Sequence, residues 1–438
     1  MEFKEKLLSS YLAFEEGLDL SDSVHKTRAK ALKIFEEKGF PTKKDEAWKY
    51  TSLASLISQD YSLFPKSEAT IELKDVRKYF LYDTDTYKVI FIDGVYSPFL
   101  SNTTHDGLDV CLMSAALIKP KYRKLINAYF NKMAPQDDSL TALNTSYAKE
   151  GAFIYIPKST VAEKPIEIIH FSSGNENALW LQPRNLIVVD QNAQVQIIER
   201  HQSLKEHPVV TNSVSEIYLH KDSFLDYYKL QNDLPSASLI DSTYIHQEKN
   251  SHASVHTFSL GGKLIRNNLN YFHKGEHALS TLKGVTILEG KQHVDHSTLV
   301  HHAQPNCESH QDYKSIFSNR SEGVFNGKIL VDKIAQKTNA FQQNNNILID
   351  DNATVNTKPQ LEIFADDVKC SHGCTIGQLN EEVLFYMRSR GIPEKEAKAL
   401  MTYAFANNVL DSVQLPSLKK RINQQIANKL GVNLGFEL

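Results

Sequence analysis

The chain has 438 residues, 41% hydrophobic and 23% charged, with a formal net charge of -3. That length holds two or three domains at about 150 residues each, and nothing in so balanced a charge asks for nucleic acid or a membrane surface. No apolar run approaches the roughly 18 residues of a membrane span, and the charged start Met1-Glu2-Phe3-Lys4-Glu5-Lys6 is not expected to act as a secretory leader.

Residues 1–150 read as a helix-rich region with a small β component. Glu5 to Glu16 carries an apolar stripe at Leu7, Leu8, Tyr11 and Phe14. A second helix through Leu32 and Phe35 is expected to stop at Gly39, with Pro41 just beyond. The run Val89-Ile90-Phe91-Ile92 enters Asp93-Gly94, a hairpin signal. Helical pattern returns from Tyr122 to Met133.

From 151 to 379 short runs of β-branched and aromatic residues alternate with Asn, Asp, Gly and Lys. Several runs follow a polar turn and a small residue: Asn192-Ala193, Asp222-Ser223, His252-Ala253, His277-Ala278 and Asn352-Ala353. Their separations of 30, 30, 25 and 75 positions suggest coils of about 25 to 30 residues, as in a β-solenoid. A β-sandwich of regularly spaced strands is the alternative. The tract Gln342 to Asn346 suits stacked coils, where amide side chains can form hydrogen-bonded ladders.

Residues 380–438 read as three helices: Glu381 to Ser389 ending at Gly391, Glu394 to Asn408 after Pro393, and one opened by Pro416. In the last, Leu418, Ile422, Ile426 and Leu430 repeat along one face, and Gly431 closes it. Such a domain either caps the open end of a solenoid or offers a docking surface.

The densest metal-capable or redox-capable chemistry is Cys370-Ser371-His372-Gly373-Cys374. On a strand these three side chains leave on one face, but Cys370 and Cys374 then sit roughly 13 Å apart, too far to share one ion. Cys370 and His372 could converge on one; all three would need a bend, for which Gly373 is the candidate. The trio is therefore at most part of a site, and buried thiols beside a hydrogen-bonded histidine are the plain alternative. Four scattered cysteines (Cys111, Cys307, Cys370, Cys374) make no disulfide framework, and a reducing, cytoplasmic setting is expected.

Other constellations carry less. His293, Asp295, His296, His301, His302 and His310 cluster near Cys307 without a standard ligand spacing, and are expected to be hydrogen-bonded or exposed wall positions. Gly284 to Gly290 with Lys291 fails as a P-loop, having five intervening residues and Gln292 in place of Ser or Thr. The pairs Asp350-Asp351 and Asp366-Asp367 read as turns, which leaves a polysaccharide-cleaving β-helix enzyme with no marked carboxylate pair.

A connected series of segments runs from Ser321 to Ala406. It includes Gly323 to Ile329, Ala335 to Gln342, Asn356 to Ile363, Ala365 to Gly373 and Leu384 to Ile392. Pro41 to Tyr50, Ala142-Leu143-Asn144-Thr145 and His293 to Thr298 precede it in order. Together they resemble the SufB/SufD family of the SUF iron–sulfur cluster assembly machinery, and within it SufD.

The resemblance implies a right-handed parallel β-helix core with helical terminal domains, and a non-catalytic scaffold role. It implies pairing with SufB through the β-helix, docking of the SufC ATPase on the C-terminal helices, and a part in iron acquisition. Pairing with a copy of itself is the alternative for an isolated chain. By the matching Cys-Ser-His-Gly motif, His372 is implied as an iron- or cluster-handling residue at the SufB interface, with Cys370 as the neighbouring thiol. SufC contact is implied for the helices holding Arg390, Gly391, Ile392 and Phe405. A transient iron ion or cluster is implied in the complex, and no stable cofactor in the isolated chain. The motif argues against a SufB-like cluster carrier, which typically has acidic residues around the equivalent histidine. Cys374 departs from the family, which usually has alanine there, and is expected to be inert.

Overall fold

A computed structural model describes residues 2–18, 24–64, 71–81, 83–103, 107–135, 137–174 and 177–432. Within them the core is a β-solenoid whose chain alternates between two ten-stranded sheets. Sheet A ends at the strand Thr354–Ile363 and sheet B at Lys369–Gly377. From Val209 and Gln194 onward every neighbouring pair on the main path of either sheet is parallel and in unbroken register. Ser238 pairs with Leu264 and Glu322 with Thr354, so those coils run from 26 to 32 residues.

The repeat has a clear local cause. A residue in the left-handed region turns each coil at Asn192, Asp222, Asn250, His277, Asn306 and Lys337. The residue after it is small and buried: Ala193, Ser223, Ser251, Ala278, Cys307 and Thr338. Asn and Asp tolerate the turn conformation best. Hydroxyls in the slot bond back to a carbonyl three residues earlier, Ser223 to His220 at 2.6 Å and Ser251 to Glu248 at 2.7 Å. Two of the expected pairs need correction. His252-Ala253 already lies in a strand, and the turn there is Asn250-Ser251. Asn352-Ala353 turns the chain into the sheet A strand Thr354–Ile363 instead, so it belongs to a different row of turns.

The interior between the sheets is filled by one long apolar column, including Val89, Ile168, Ile197, Tyr227, Val255, Leu282, Tyr313 and Phe325. The first coil is closed. Tyr87–Ile92 joins sheet B, and Asp93 and Gly94, both at positive φ, turn it into the short antiparallel strand Val95–Tyr96. Asp109–Leu112 pairs antiparallel with Ala152–Ile156 at the start of sheet A. The boundary drawn at residue 151 therefore passes through the first coil.

Helices cover this end. Phe3–Glu16 and His25–Lys38 bury Leu7, Tyr11, Phe14 and Phe35 against Trp180 and Tyr147. The helix expected to reach Met133 is Pro120–Tyr129. It stops early because the buried carboxylate of Glu216 accepts the backbone N–H groups of Asn131, Lys132 and Met133, at 2.6 to 3.0 Å. Arg184, fully buried, pairs with the same carboxylate at 2.6 Å.

The upstream segments of the resemblance meet across this covering. Trp48 lies under the Arg266 guanidinium at 4.7 Å, Arg266 donates to the Ala47 carbonyl at 3.0 Å, and both Arg266 and Thr51 bind Asp295. Thr51 also reaches His293 Nε2 at 2.9 Å. Asn144 donates to the carbonyls of Pro183 and Asn212, at 2.9 and 2.8 Å. The histidine-rich segment is thus wall and docking structure: His296 bonds Asn267 and Thr286, and His302 bonds His273 and Ser309.

The C-terminal helices do not cap the far end. Glu394–Leu410 and Pro416–Leu430 lie along the outer face of sheet B, where Ala406, Val409, Leu410, Leu418, Ile422 and Ile426 pack on Tyr228, Phe258, Val285 and Ile316. No helix among the described residues is long and apolar enough to cross a membrane.

Candidate functional site

Cys370, His372 and Cys374 lie on Lys369–Gly377, the last strand of sheet B. The strand stays in register with Asn339–Leu348 through Gly373, so the bend that would gather all three side chains does not occur. Register places Cys370 beside Ala340, His372 beside Gln342 and Cys374 beside Asn344. Alternation then puts all three on the face that earlier coils turn to the interior. There, Ser309, Gln311 and Tyr313 occupy the matching positions and are buried.

Here that face is open, because no further coil covers it. The last strand of sheet B contains no buried residue, and neither does the last strand of sheet A. Cys370 is partly sheltered against Ile329, Val331, Ala335 and Ala340. Burial pushes its thiol above the ordinary range, so metal binding there requires a proton to leave. His372 is exposed. Cys374 is exposed as well, with its sulfur 3.1 Å from Thr357 Oγ1 on the facing strand. The mouth is therefore floored by Gln342 and Asn344, with the two thiols and the imidazole on one wall and Thr357 opposite. Neutral imidazole and thiolate both ligate iron. One strand offers at most two donors to a single ion, so the strand alone holds an incomplete donor set.

The floor residues were expected from the sequence as an amide ladder, not as part of this site. Gln342 donates to Gln311 at 2.8 Å and Asn346 to Asn344 at 2.7 Å, which is the amide ladder expected of that tract. Its position under the Cys-Ser-His-Gly strand depends on a register about 30 residues long. The other two thiols are excluded. Burial raises both Cys111 and Cys307 to about 11, and Cys307 fills the small-residue slot of its coil.

The free rims of both sheets are at this mouth. A ten-residue and a nine-residue edge strand with unpaired backbone form a template for another chain. Pro359, which has no N–H to offer a ladder, is tolerated on the sheet A rim.

The four residues expected on the helical docking surface are divided by the structure. Arg390, Gly391 and Ile392 form the turn between Glu381–Ser389 and Glu394–Leu410. Gly391 has φ +88° there, a value that disfavours any side chain. The Arg390 guanidinium lies 5.2 Å from the Tyr386 ring, and Phe385 and Tyr386 are 74% and 58% exposed. Phe405 is farther along the second helix, half-buried, with Lys314 of sheet B at 4.9 Å over its ring and bonded to its carbonyl. It anchors helix to solenoid, while the exposed apolar surface lies on the first helix.

Comparisons with known proteins place the chain in a family. Residues 170–405 match the model of the SUF system FeS cluster assembly SufBD core domain, and residues 1–168 match that of the SufBD protein N-terminal region. An iron–sulfur cluster assembly SufBD family protein of Synechocystis is 33% identical, covering 88% of this chain and 87% of its own. The iron–sulfur cluster assembly protein SufD of Escherichia coli is 30% identical over 90% of each chain, and that of Bacillus subtilis 25% identical over 87% and 88%. The chain belongs to the SufB/SufD family of SUF-system iron–sulfur cluster assembly proteins, on its SufD branch.

Proposed function

We propose that this protein is a non-catalytic scaffold of cluster assembly that completes its site only with a partner. The open last coil pairs rim to rim with a second solenoid subunit, SufB. His372 and Cys370 then face that subunit's ligands and hold iron or a nascent cluster between the chains. The observation that carries this reading is the uncapped mouth, where long unpaired rims surround an incomplete donor set. The exposed helix Glu381–Ser389 with its turn at Arg390, Gly391 and Ile392 is the docking surface for the SufC ATPase. Its uncovered Phe385 and Tyr386 support this, and so does the absence of a P-loop in this chain. Nucleotide hydrolysis then belongs to the partner, and a role in iron acquisition follows from the imidazole and thiol of the mouth.

The test is reconstitution with SufB and SufC. His372→Ala should leave the unfolding midpoint and the co-purified complex unchanged, while cluster transferred to an apo-ferredoxin falls by at least tenfold. Unchanged transfer removes His372 from the site. Failure of the wild-type chain to co-purify with either partner overturns the scaffold reading as a whole.

A further inference from the structure

A second group of metal-capable side chains is enclosed within the first coils. His170 is on the strand Ile166–Ser172, and Glu199 and His201 are on the neighbouring strand Gln194–Ser203. Register sets His170 beside His201, and Glu199, two residues earlier, leaves on the same side. The three residues are only 8%, 1% and 4% exposed. The two imidazoles stack at 4.7 Å, with Phe91 stacked on His170 at 5.0 Å. Both Nε2 atoms face Glu199 Oε1, at 3.7 and 3.8 Å. Those separations are too long for hydrogen bonds, and neither nitrogen has another hydrogen-bond partner. Among the described residues, no other three His, Cys, Asp or Glu bring their donor atoms so close.

Two unpartnered imidazole nitrogens aimed at one buried carboxylate oxygen are costly as they stand. Ligands that share one ion at about 2.0–2.2 Å sit roughly 3.3–3.6 Å apart, so a contraction of a few tenths of an ångström from 3.7 and 3.8 Å brings Glu199 Oε1 and each Nε2 to that spacing. The surrounding charge points the same way. The other Glu199 oxygen accepts Tyr227 at 2.6 Å and lies 3.4 Å from Lys229, whose ammonium also serves Asp241 at 2.5 Å. Asp233 lines the small cavity beside the two imidazoles. Glu199 and Asp241 thus share one ammonium, and Asp233 is a third buried carboxylate nearby, bonded by Ser203 at 2.7 Å; with all three ionised, a divalent cation would balance the group. The cavity is about 20 Å³, room for one water-sized sphere and not for a cluster.

We propose that His170, Glu199 and His201 bind one divalent first-row transition metal ion, zinc(II) or iron(II), inside the first coils. Two imidazoles and a carboxylate with an open position suit both ions, and no thiol takes part. The mouth lies six strands along the same sheet, roughly 29 Å at about 4.8 Å per strand, so the two sites are separate.

The test uses the full chain, purified with a chelator and titrated anaerobically with cobalt(II) as the spectroscopic probe, then with zinc(II) and iron(II). One equivalent should bind to the wild type and equally to a Cys370→Ser, His372→Ala double variant. X-ray absorption of the cobalt-loaded wild type should show nitrogen and oxygen neighbours without sulfur. His170→Gln and His201→Gln should each weaken binding on the order of 10–100-fold or more. No stoichiometric binding by the folded wild type overturns the proposal and assigns the missing charge to a protonated imidazole. Sulfur in the first coordination sphere, or loss of the equivalent in the double variant, moves the ion to the mouth and also overturns it, leaving the scaffold reading intact. The absorption measurement needs no variant, so a glutamine variant that fails to fold does not stop the decision.

Discussion

The two ends of the solenoid are built from the same repeating coil and treated in opposite ways. At the first coil, antiparallel strands terminate both sheets, helices pack beside them, and the buried Glu216, paired with Arg184, holds the covering segment Asn131 to Met133 by its backbone N–H groups. At the last coil the side chains that would continue the interior, Cys370, His372 and Cys374, are left in the open beside unpaired rims. The C-terminal helices, which could have closed this end, pack along the side instead. The solenoid thus buries its terminal coil at the first end and leaves the backbone and side chains of its last coil uncovered at the second.

Three measurements break or sharpen that contrast. The largest effect is expected at the closed end. Arg184→Ala leaves the Glu216 carboxylate buried without its cation, and should cost about 3–5 kcal/mol in denaturant unfolding. A loss under about 1 kcal/mol would mean that the cap is not held by this pair. At the open end the same kind of measurement should be almost silent. Lys369 bonds inward to Thr338, so alternate residues from Cys370 to Ile376 turn their N–H groups outward. Ile376→Pro removes one outward donor and should shift stability by about 0.5 kcal/mol or less while abolishing co-purification with SufB. Intact association would show that the rim is not the pairing surface. The wall between the ends is tested by stability alone, with no loss of association expected. Serine already fills the slot of Cys307 at positions 223 and 251, so Cys307→Ser should stay within about 1 kcal/mol of wild type, whereas Cys307→Leu overpacks the turn and should cost about 1–3 kcal/mol. Equal unfolding midpoints for the two variants would refute the slot.

Much of this was legible in the sequence where the signal is local. Turn chemistry at Asn192 and Asp222 marked the coils because a left-handed turn followed by a small residue is set by neighbours in the chain. The helix ends at Gly39, Gly391 and Gly431 were legible for the same reason. Of the two pairs that needed correction, His252-Ala253 lies two residues past the real turn, Asn250-Ser251, because a polar residue before a small one occurs at both places and only Asn250 takes the left-handed conformation. The helix predicted to run to Met133 ended early because a carboxylate from position 216 takes its backbone donors, and no local pattern announces that. Half of the candidate site was legible, since a strand alone puts Cys370 and His372 on one face.

By itself the sequence pointed to a chain that coils, marked the helix ends at Gly39, Gly391 and Gly431, and picked out the short strand that holds the thiols and imidazole. Only the tertiary structure decided that this strand is the last of its sheet, that the helices lie beside the mouth and not across it, and that His170, Glu199 and His201 point at one another. The physical reason is register. Side chains about 30 residues apart become neighbours only when parallel strands align, and one residue of slip would turn each of them to the opposite face.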